Sequence, residues 1–398
     1  MVNSGSSSLK YDVWDVSDPP AGSHRLASGV VERVGDVGGR LTQRQGAGEP
    51  IIVDGDVENH RQALEVVRAV IDRHGPGLPA LVAVGHRIVH GGERYSGPVV
   101  IDDGVEAEID RLSDLAPLHN PANLVGVRVL RAAYPRVPHV AVFDTSFHAT
   151  MPPEAHTYAV PVDIARRHGI RRWGFHGTSH QYVSHRAAEY LGFAADEIGL
   201  VICHVGDGVS VTAVRDGRSV DTSMGLTPLG GVVMGTRAGD LDPAVVTHLQ
   251  RHAGLGIDEV DDLLTRRSGL RGLCGDSDMR TVRSRAQGGD EAAQLAIDVY
   301  AYRLRMFLGA CLALVPTLHA VVFTAGVGEN DPELRSAVVG PLAHLGLRLD
   351  DTANRGTVGP PGPVRIDDRS GRVAVLVVPT DESAEICRLT LDLAAGLV

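Results

Sequence analysis

Asn3-Ser4-Gly5-Ser6-Ser7-Ser8-Leu9-Lys10 and His204-Val205-Gly206-Asp207-Gly208-Val209-Ser210 are two versions of one turn, about 200 residues apart. The first opens a strand-like run from Leu9 to Val16. The second lies between the apolar run 199–203 and the alternating run 211–214. Each reads as strand, Gly/Ser turn, strand. Glycine allows positive φ and close backbone approach. Serine hydroxyls and free N–H groups can then surround an anion. Taken singly, either turn is equally readable as an ordinary β-hairpin. As a pair they imply two related α/β domains facing each other across a nucleotide.

The bulk properties fit that reading. A chain of 398 residues suits two or three domains, and 43% hydrophobic residues can build large cores, although only 4% are aromatic. The net charge of −11 argues against a general nucleic-acid partner. An anionic ligand therefore needs local arginines working against an unfavourable global field. Cys203, Cys274, Cys311 and Cys387 form no CxxC pair, which suits buried thiols in a reducing compartment, the cytoplasm. No signal-peptide pattern is visible. The most apolar stretch, Met306 to Val327, is broken by Pro316 and His319, and reads as a buried helix and a core strand, with no membrane partner.

Strand and helix patterns alternate. Strands are expected at 81–84, 139–143, 200–204, 320–324 and 373–378. Helices are expected from Asn120-Pro121, from Asp242-Pro243 to Gly254, from Asp331-Pro332, over 178–191 closed by Gly192, and over 290–314. The stretch 356–363 reads as a surface loop. A domain change is expected just after Asp144, with the chain returning near Pro379. That gives 1–147 plus 379–398 as one domain and 148–378 as the other.

Several segments carry groups suited to phosphate chemistry. Arg87 follows a strand in Gly85-His86-Arg87-Ile88-Val89-His90-Gly91-Gly92. Arg237 stands between small residues in Met234-Gly235-Thr236-Arg237-Ala238-Gly239-Asp240. A guanidinium fork matches phosphate and carboxylate oxygens. A lone arginine is more often a surface ion-pair partner, but two beside two anion hairpins favour a site. Gly174-Phe175-His176-Gly177-Thr178-Ser179-His180 precedes a helix, whose N-terminal dipole favours an anion. His176 and His180 have the i,i+4 spacing of zinc ligands, yet no HExxH is present, and a donor beside a phosphoryl group fits better. Phe323-Thr324-Ala325-Gly326-Val327-Gly328-Glu329-Asn330 joins a core strand to a helix, as nucleoside platforms do, although a tight turn explains a lone GxG equally. Asp144 at a strand end and Glu382 after Pro379-Thr380-Asp381 suit Mg²⁺ held through water, while helix capping is the plainer reading of Glu382.

In this order the segments NSGSSSLK, GHRIVHGGE, PLHNP, FDTSFH, GFHGTSH, HVGDGVS, TPLGGVVMGTRAGDLDP, SDMR, FTAGVGEN and TDES resemble the acetokinase family over nearly the whole chain. That family belongs to the superfamily of acetate and sugar kinases and actin-like ATPases. The resemblance implies two duplicated ribonuclease H-like domains and reversible, Mg²⁺-dependent (Mn²⁺ also serving) phosphoryl transfer from ATP to acetate, giving acetyl phosphate and ADP. Arg87, Asp144, His176 and Arg237 would then be catalytic. Val89, Leu118, Phe175 and Pro228 would form the acetate-methyl pocket. Lys10, His204, Val205, Gly206, Asp207, Gly208, Asp278, Met279, Arg280, Gly326, Val327, Gly328, Glu329 and Asn330 would bind the nucleotide, with Asn3 and Glu382 at the metal. A homodimer through the second domain is also implied.

Four positions depart from the family pattern. Only Met1 and Val2 precede Asn3, so either the start codon is misassigned or the sheet lacks part of a central strand. Asp207 stands for Asn, Gly230 for Glu, and Ser383 for the second Glu of TxEE. Three alternatives stay open: a propionate or other short-chain carboxylate kinase, an ATP-binding switch, and an inactive paralogue.

Overall fold

The computed structural model describes residues 1–5, 7–17, 23–46, 48–74, 81–117 and 119–396. The chain divides into two compact units, Met1–Ser146 with Asp381–Val398, and Phe147–Thr380. The first holds strands β1 (Val2–Ser4), β2 (Ser8–Asp15), β3 (His24–Glu32), β4 (Arg40–Arg44), β5 (Ile51–Asp54), β6 (Val84–Ile88), β7 (Val99–Val100) and β8 (His139–Phe143). Their order in one sheet is β5-β4-β3-β2-β1-β6-β8-β7. The second holds β9 (Leu200–Val205), β10 (Val209–Arg215), β11 (Arg218–Thr222), β12 (Ala320–Thr324), β13 (Val364–Arg365) and β14 (Ala374–Val377). Their order is β11-β10-β9-β12-β14-β13.

Both sheets obey one plan. An antiparallel hairpin, β1–β2 or β9–β10, has its first strand paired in parallel with the next core strand, β6 or β12, and that strand pairs in parallel with β8 or β14. This is the ribonuclease H-like order, and it occurs twice. The repeated Gly/Ser turn is thus one visible part of a repeated topology.

Core packing sets the faces. Along β8, Val140 and Val142 pack with Ile386, while Ala141 and Phe143 pack with Ile88, Leu124 and Val127. That alternation is the period of two of a pleated strand. Arg87 pairs in register with Val142. It therefore shares the face covered by the helix Glu382–Ala395.

The expected strand at 81–84 is displaced: β6 begins at Val84 and runs through Arg87. The polar sequence Gly85-His86-Arg87 obscured it. His86 is buried and bonds His139 (Nε2 to Nδ1, 2.9 Å), so tertiary pairing satisfies a group that reads as a loop residue. The other four expected strands fall within a residue of β8, β9, β12 and β14.

The central strand is indeed short. Val2 is its one register partner to β6, at His86. Alongside Met1, residues 13–16 and 81–84 line a cavity of about 700 Å³, together with Val67, Ile71, Leu130 and Leu391. The Met1 ammonium donates to the Asp12 carbonyl at 2.8 Å, and burial lowers its pKa.

Candidate active site

In the first unit, chemistry gathers where β6 and β8 end. Arg87 grips Asp144 with two bonds, Nε to Oδ1 at 3.0 Å and Nη2 to Oδ2 at 2.7 Å. Glu382 Oε2 lies 3.6 Å from Arg87 Nε. The Asp144 side chain is 2% exposed and that of Arg87 20%. Burial works against the Arg87 cation, but the charges of Asp144 and Glu382 outweigh it and raise its pKa. Burial raises the Asp144 carboxyl against the pull of Arg87. Both carboxylate oxygens accept from the guanidinium, so the ionised pair is the form held.

Two asparagines position this corner: Asn123, which the sequence did not single out, and Asn120, read there only as a helix start. Asn123 accepts from Val89 N (3.2 Å) and donates to Ser4 O (2.7 Å), tying the loop after β6 to the first hairpin turn. Asn120 clasps both the N–H and the carbonyl of His90. Their signal was the i,i+3 spacing within the helix Asn120–Ala133. Asn3 pairs across the hairpin with Lys10, the single lysine of the chain. Leu118 lies outside the described residues.

In the second unit, His176 occupies the N-cap of Gly177–Leu191 with φ 59°, a left-handed conformation costly for a residue with a Cβ. Its ring stacks on His204, centroids 4.1 Å apart. Its Nδ1 lies 2.9 Å from Ser210 Oγ. A Cβ on Gly208 would sit 3.1 Å from His176 Nε2 and 3.4 Å from Arg237 Nη1. The glycine thus lets the hairpin turn approach both. Arg237 Nη1 donates to Pro228 O at 3.3 Å and contacts Met234 Sδ at 3.6 Å, both neutral. Burial lowers its pKa, with the Asp207 charge pulling the other way. A half-buried cation hydrogen-bonded to neutral partners is suited to an incoming anion. Phe175 is buried, and its carbonyl bonds His148 Nε2.

The segments expected to bind the nucleoside also meet. A Cβ on Gly206 would touch Ala325 at 3.6 Å, so the β9–β10 turn abuts the helix Ala325–Asn330. That helix follows β12 directly, with Ala325 at φ 67°. Glu329 Oε1 accepts from Ala325 N and Thr380 N, so its carboxylate serves the backbone. Asn330 bonds Gly326 O. Asp278 caps the helix Met279–Gln287 and pairs with the exposed Arg280. From that helix Arg283 reaches Asp331 and Glu333, which follow the helix that contains Val327 and Gly328.

The departures have physical accounts. Ser383 Oγ accepts from Trp14 Nε1 at 3.0 Å. A Cβ at Gly230 would lie 3.5 Å from Asp240 Oδ1, so a glutamate there would approach a second carboxylate. His176 and His180 converge on Ser210, a hydroxyl, which absorbs their i,i+4 spacing.

Asp144 and Glu382 present two hard carboxylates beside one guanidinium. Such a pair fits a divalent ion that keeps most of its waters. Among the described residues no three His, Cys, Asp or Glu side chains stand together as a closed metal cage, and no helix is long and apolar enough to cross a membrane.

Duplicated ribonuclease H-like topology, with half-buried arginines near glycine turns, is the architecture of actin-like ATPase-fold kinases. The pattern of the acetokinase family matches residues 1–388, and the chain belongs to that family, whose members are kinases that phosphorylate a carboxylate. It is 51% identical over 400 residues to the acetate kinase of Leifsonia xyli subsp. xyli, covering 100% of this chain and 98% of that one. It is 51% identical to the acetate kinase of Streptomyces coelicolor, covering 99% and 96%. Among solved structures it resembles Porphyromonas gingivalis acetate kinase (TM-score 0.92, 39% identity, 98% of each chain). It also resembles a propionate kinase from Francisella tularensis (TM-score 0.91, 36% identity, 98% of each chain).

Proposed function

We propose that the protein is an acetate kinase, catalysing reversible transfer of the ATP γ-phosphoryl to acetate. The observation that carries this is the full-length family match with Arg87, Asp144, His176, Arg237 and Glu382 all retained. Acetate has a pKa of about 4 to 5, so it is already ionised at neutral pH and needs no general base. Its oxygen forms the new bond to phosphorus while the bond from phosphorus to the β,γ-bridging oxygen breaks, leaving acetyl phosphate and ADP. The barrier is the approach of one anion to another, so positioning and positive charge supply the catalysis. Arg237 and Arg87 offset the charge of acetate and the transferring phosphoryl, and His176 donates to the phosphoryl oxygens.

Asp144 and Glu382, with Asn3, would hold Mg²⁺, which neutralises phosphate charge when bound. The two hairpin turns and the 278–280 and 326–330 segments would bind ATP, and Val89, Leu118, Phe175 and Pro228 would enclose the methyl group. A cytoplasmic homodimer accords with the family. One methylene changes binding by about 1–3 kcal/mol in an apolar pocket, so propionate is the weaker substrate and still turns over.

A hydroxamate assay with acetate and propionate, with and without Mg²⁺, tests the proposal. Acetate-dependent, Mg²⁺-dependent product supports it. ATP hydrolysis indifferent to acetate, or no turnover at all, removes it. Asp207 adds a carboxylate to the second turn, beside Arg237. Asp207→Asn is therefore expected to lower the ATP KM by about threefold to tenfold, through lost like-charge repulsion. An unchanged or higher KM in the variant would refute this role.

A further inference from the structure

Ser210 Oγ stands between two imidazoles, 2.9 Å from His176 Nδ1 and 2.7 Å from His180 Nε2. One hydroxyl has one proton to give and can accept more than one bond. Three arrangements are therefore possible, and the surroundings of His180 choose among them. His180 is fully buried; burial, with the His148 and His204 rings facing it, holds its pKa well below the ordinary value. It is neutral and carries one N–H. Its Nδ1 has no hydrogen-bond partner among the described residues.

If that proton sat on Nδ1, it would be a buried donor without an acceptor. If it sits on Nε2, it bonds Ser210, and Nδ1 keeps only an unused lone pair, the cheaper vacancy. Ser210 then accepts from His180, and its own proton goes to the other neighbour, His176 Nδ1. The third arrangement, with both rings donating to Oγ, leaves the serine proton facing neither of its partners. The chain therefore runs His180 Nε2–H to Ser210 Oγ, then Ser210 O–H to His176 Nδ1.

We infer that Ser210 and His180 are positioning residues that hold His176 as the neutral imidazole with its proton on Nε2, the tautomer able to donate to a phosphoryl oxygen. The direction of Nε2 agrees. It faces Gly208 of the hairpin turn, on the side where a Cβ would also meet Arg237 Nη1. A hydrogen bond from a serine hydroxyl also opposes protonation of Nδ1, since a protonated Nδ1 would have to displace it. His176 is thus a fixed dipole aimed at the turn, with Arg237 providing the formal charge. The inference rests on His176 as the phosphoryl donor proposed above.

The tautomer itself is measurable without turnover. Long-range ¹⁵N correlation spectra of the histidine-labelled protein, with His176→Gln to identify the ring, should show a protonated Nε2 and an unprotonated Nδ1 for His176. His180 should show the same pattern. Ser210→Ala should give a mixture of His176 tautomers and lower kcat by about tenfold, with the acetate KM within about twofold, because a transition-state donor is misaligned while binding is kept. Ser210→Thr, which keeps the hydroxyl, should restore both. A proton on His176 Nδ1 in the unmodified protein overturns the inference, as does a Ser210→Ala protein with the original tautomer. A protein that makes no acetyl phosphate yet shows the expected tautomer would lose the acetate kinase reading, and with it the phosphoryl-donor role, and keep only the tautomer set by Ser210 and His180.

Discussion

Replacing Arg87 with alanine is expected to lower kcat/KM for acetyl phosphate formation by about three orders of magnitude, the range for losing a preorganised charge at a transition state. The variant loses more than a ligand contact. Arg87 is the counter-ion of Asp144 through two bonds and lies 3.6 Å from Glu382. Without it two neighbouring carboxylates face each other, one of them nearly inaccessible. Breaking a buried pair from one side costs about 3 kcal/mol or more. The pH dependence has a definite sign. Burial already raises Asp144, and removing Arg87 removes the main force opposing that rise. An acid whose folded pKa lies above its unfolded value loses stability as pH rises between the two. The variant's Tm deficit should therefore be larger at pH 8 than at pH 5. Arg87→Lys should recover part of the stability and little of the rate, since a point charge cannot replace the fork. A rate within tenfold of the unmodified protein, or a Tm deficit that is flat in pH, contradicts this account.

Features with local causes were legible in the sequence. Asn120-Pro121, Asp331-Pro332 and Gly192 mark helix ends through their own backbone preferences, and the helices start or stop there. The strands 139–143 and 320–324 are short apolar runs buried on both faces, and they appear with those bounds. The repeated hairpin pointed to a repeated fold. What stayed hidden depends on partners distant in sequence. β6 looked like a loop because His86 is acceptable in a core only beside His139. The strands β3, β4 and β5, whose inward residues include Val31, Leu41 and Gln43, carry a weak alternation and were not read. Arg87 and Arg237 were singled out for the same chemistry, yet their surroundings differ: one is held by carboxylates, the other by a carbonyl and a sulfur. No spacing rule distinguishes those states. The serine that joins His176 to His180 lies 34 residues from the first and 30 from the second, and nothing in HVGDGVS marks it.

Arg335→Leu should be among the most destabilising single changes in the second unit, by about 4 kcal/mol. In the sequence Arg335 is one more charged residue on an amphipathic helix. In the structure it is fully buried. Nε donates to Asn354 Oδ1 (2.8 Å), Nη1 to Gly328 O (2.8 Å), and Nη2 to the carbonyls of Asn354 (2.9 Å) and Thr357 (2.6 Å). Gly328 lies near the C-terminal end of 325–330, and Asn354 and Thr357 at that of 351–356. Helix C-termini carry unsatisfied carbonyls and partial negative charge, which a cation complements. One guanidinium closes two helix ends. Burial lowers its pKa to about 10, with Asp331 opposing. The group therefore stays charged from pH 5 to 8, and the stability loss should be constant across that window, unlike the loss in Arg87→Ala. Leucine fills similar space and leaves Asn354 Oδ1 and the Gly328 and Thr357 carbonyls without that donor, while the Asn354 carbonyl keeps the Thr357 N–H. Because Gly328 belongs to the proposed nucleoside segment, freeing its carbonyl should also raise the ATP KM while leaving the acetate KM near its original value. Urea unfolding and initial rates at varied ATP measure both. A leucine variant within 1 kcal/mol of the unmodified protein would mean that water replaces the guanidinium at little cost, and the clamp would then have no structural weight.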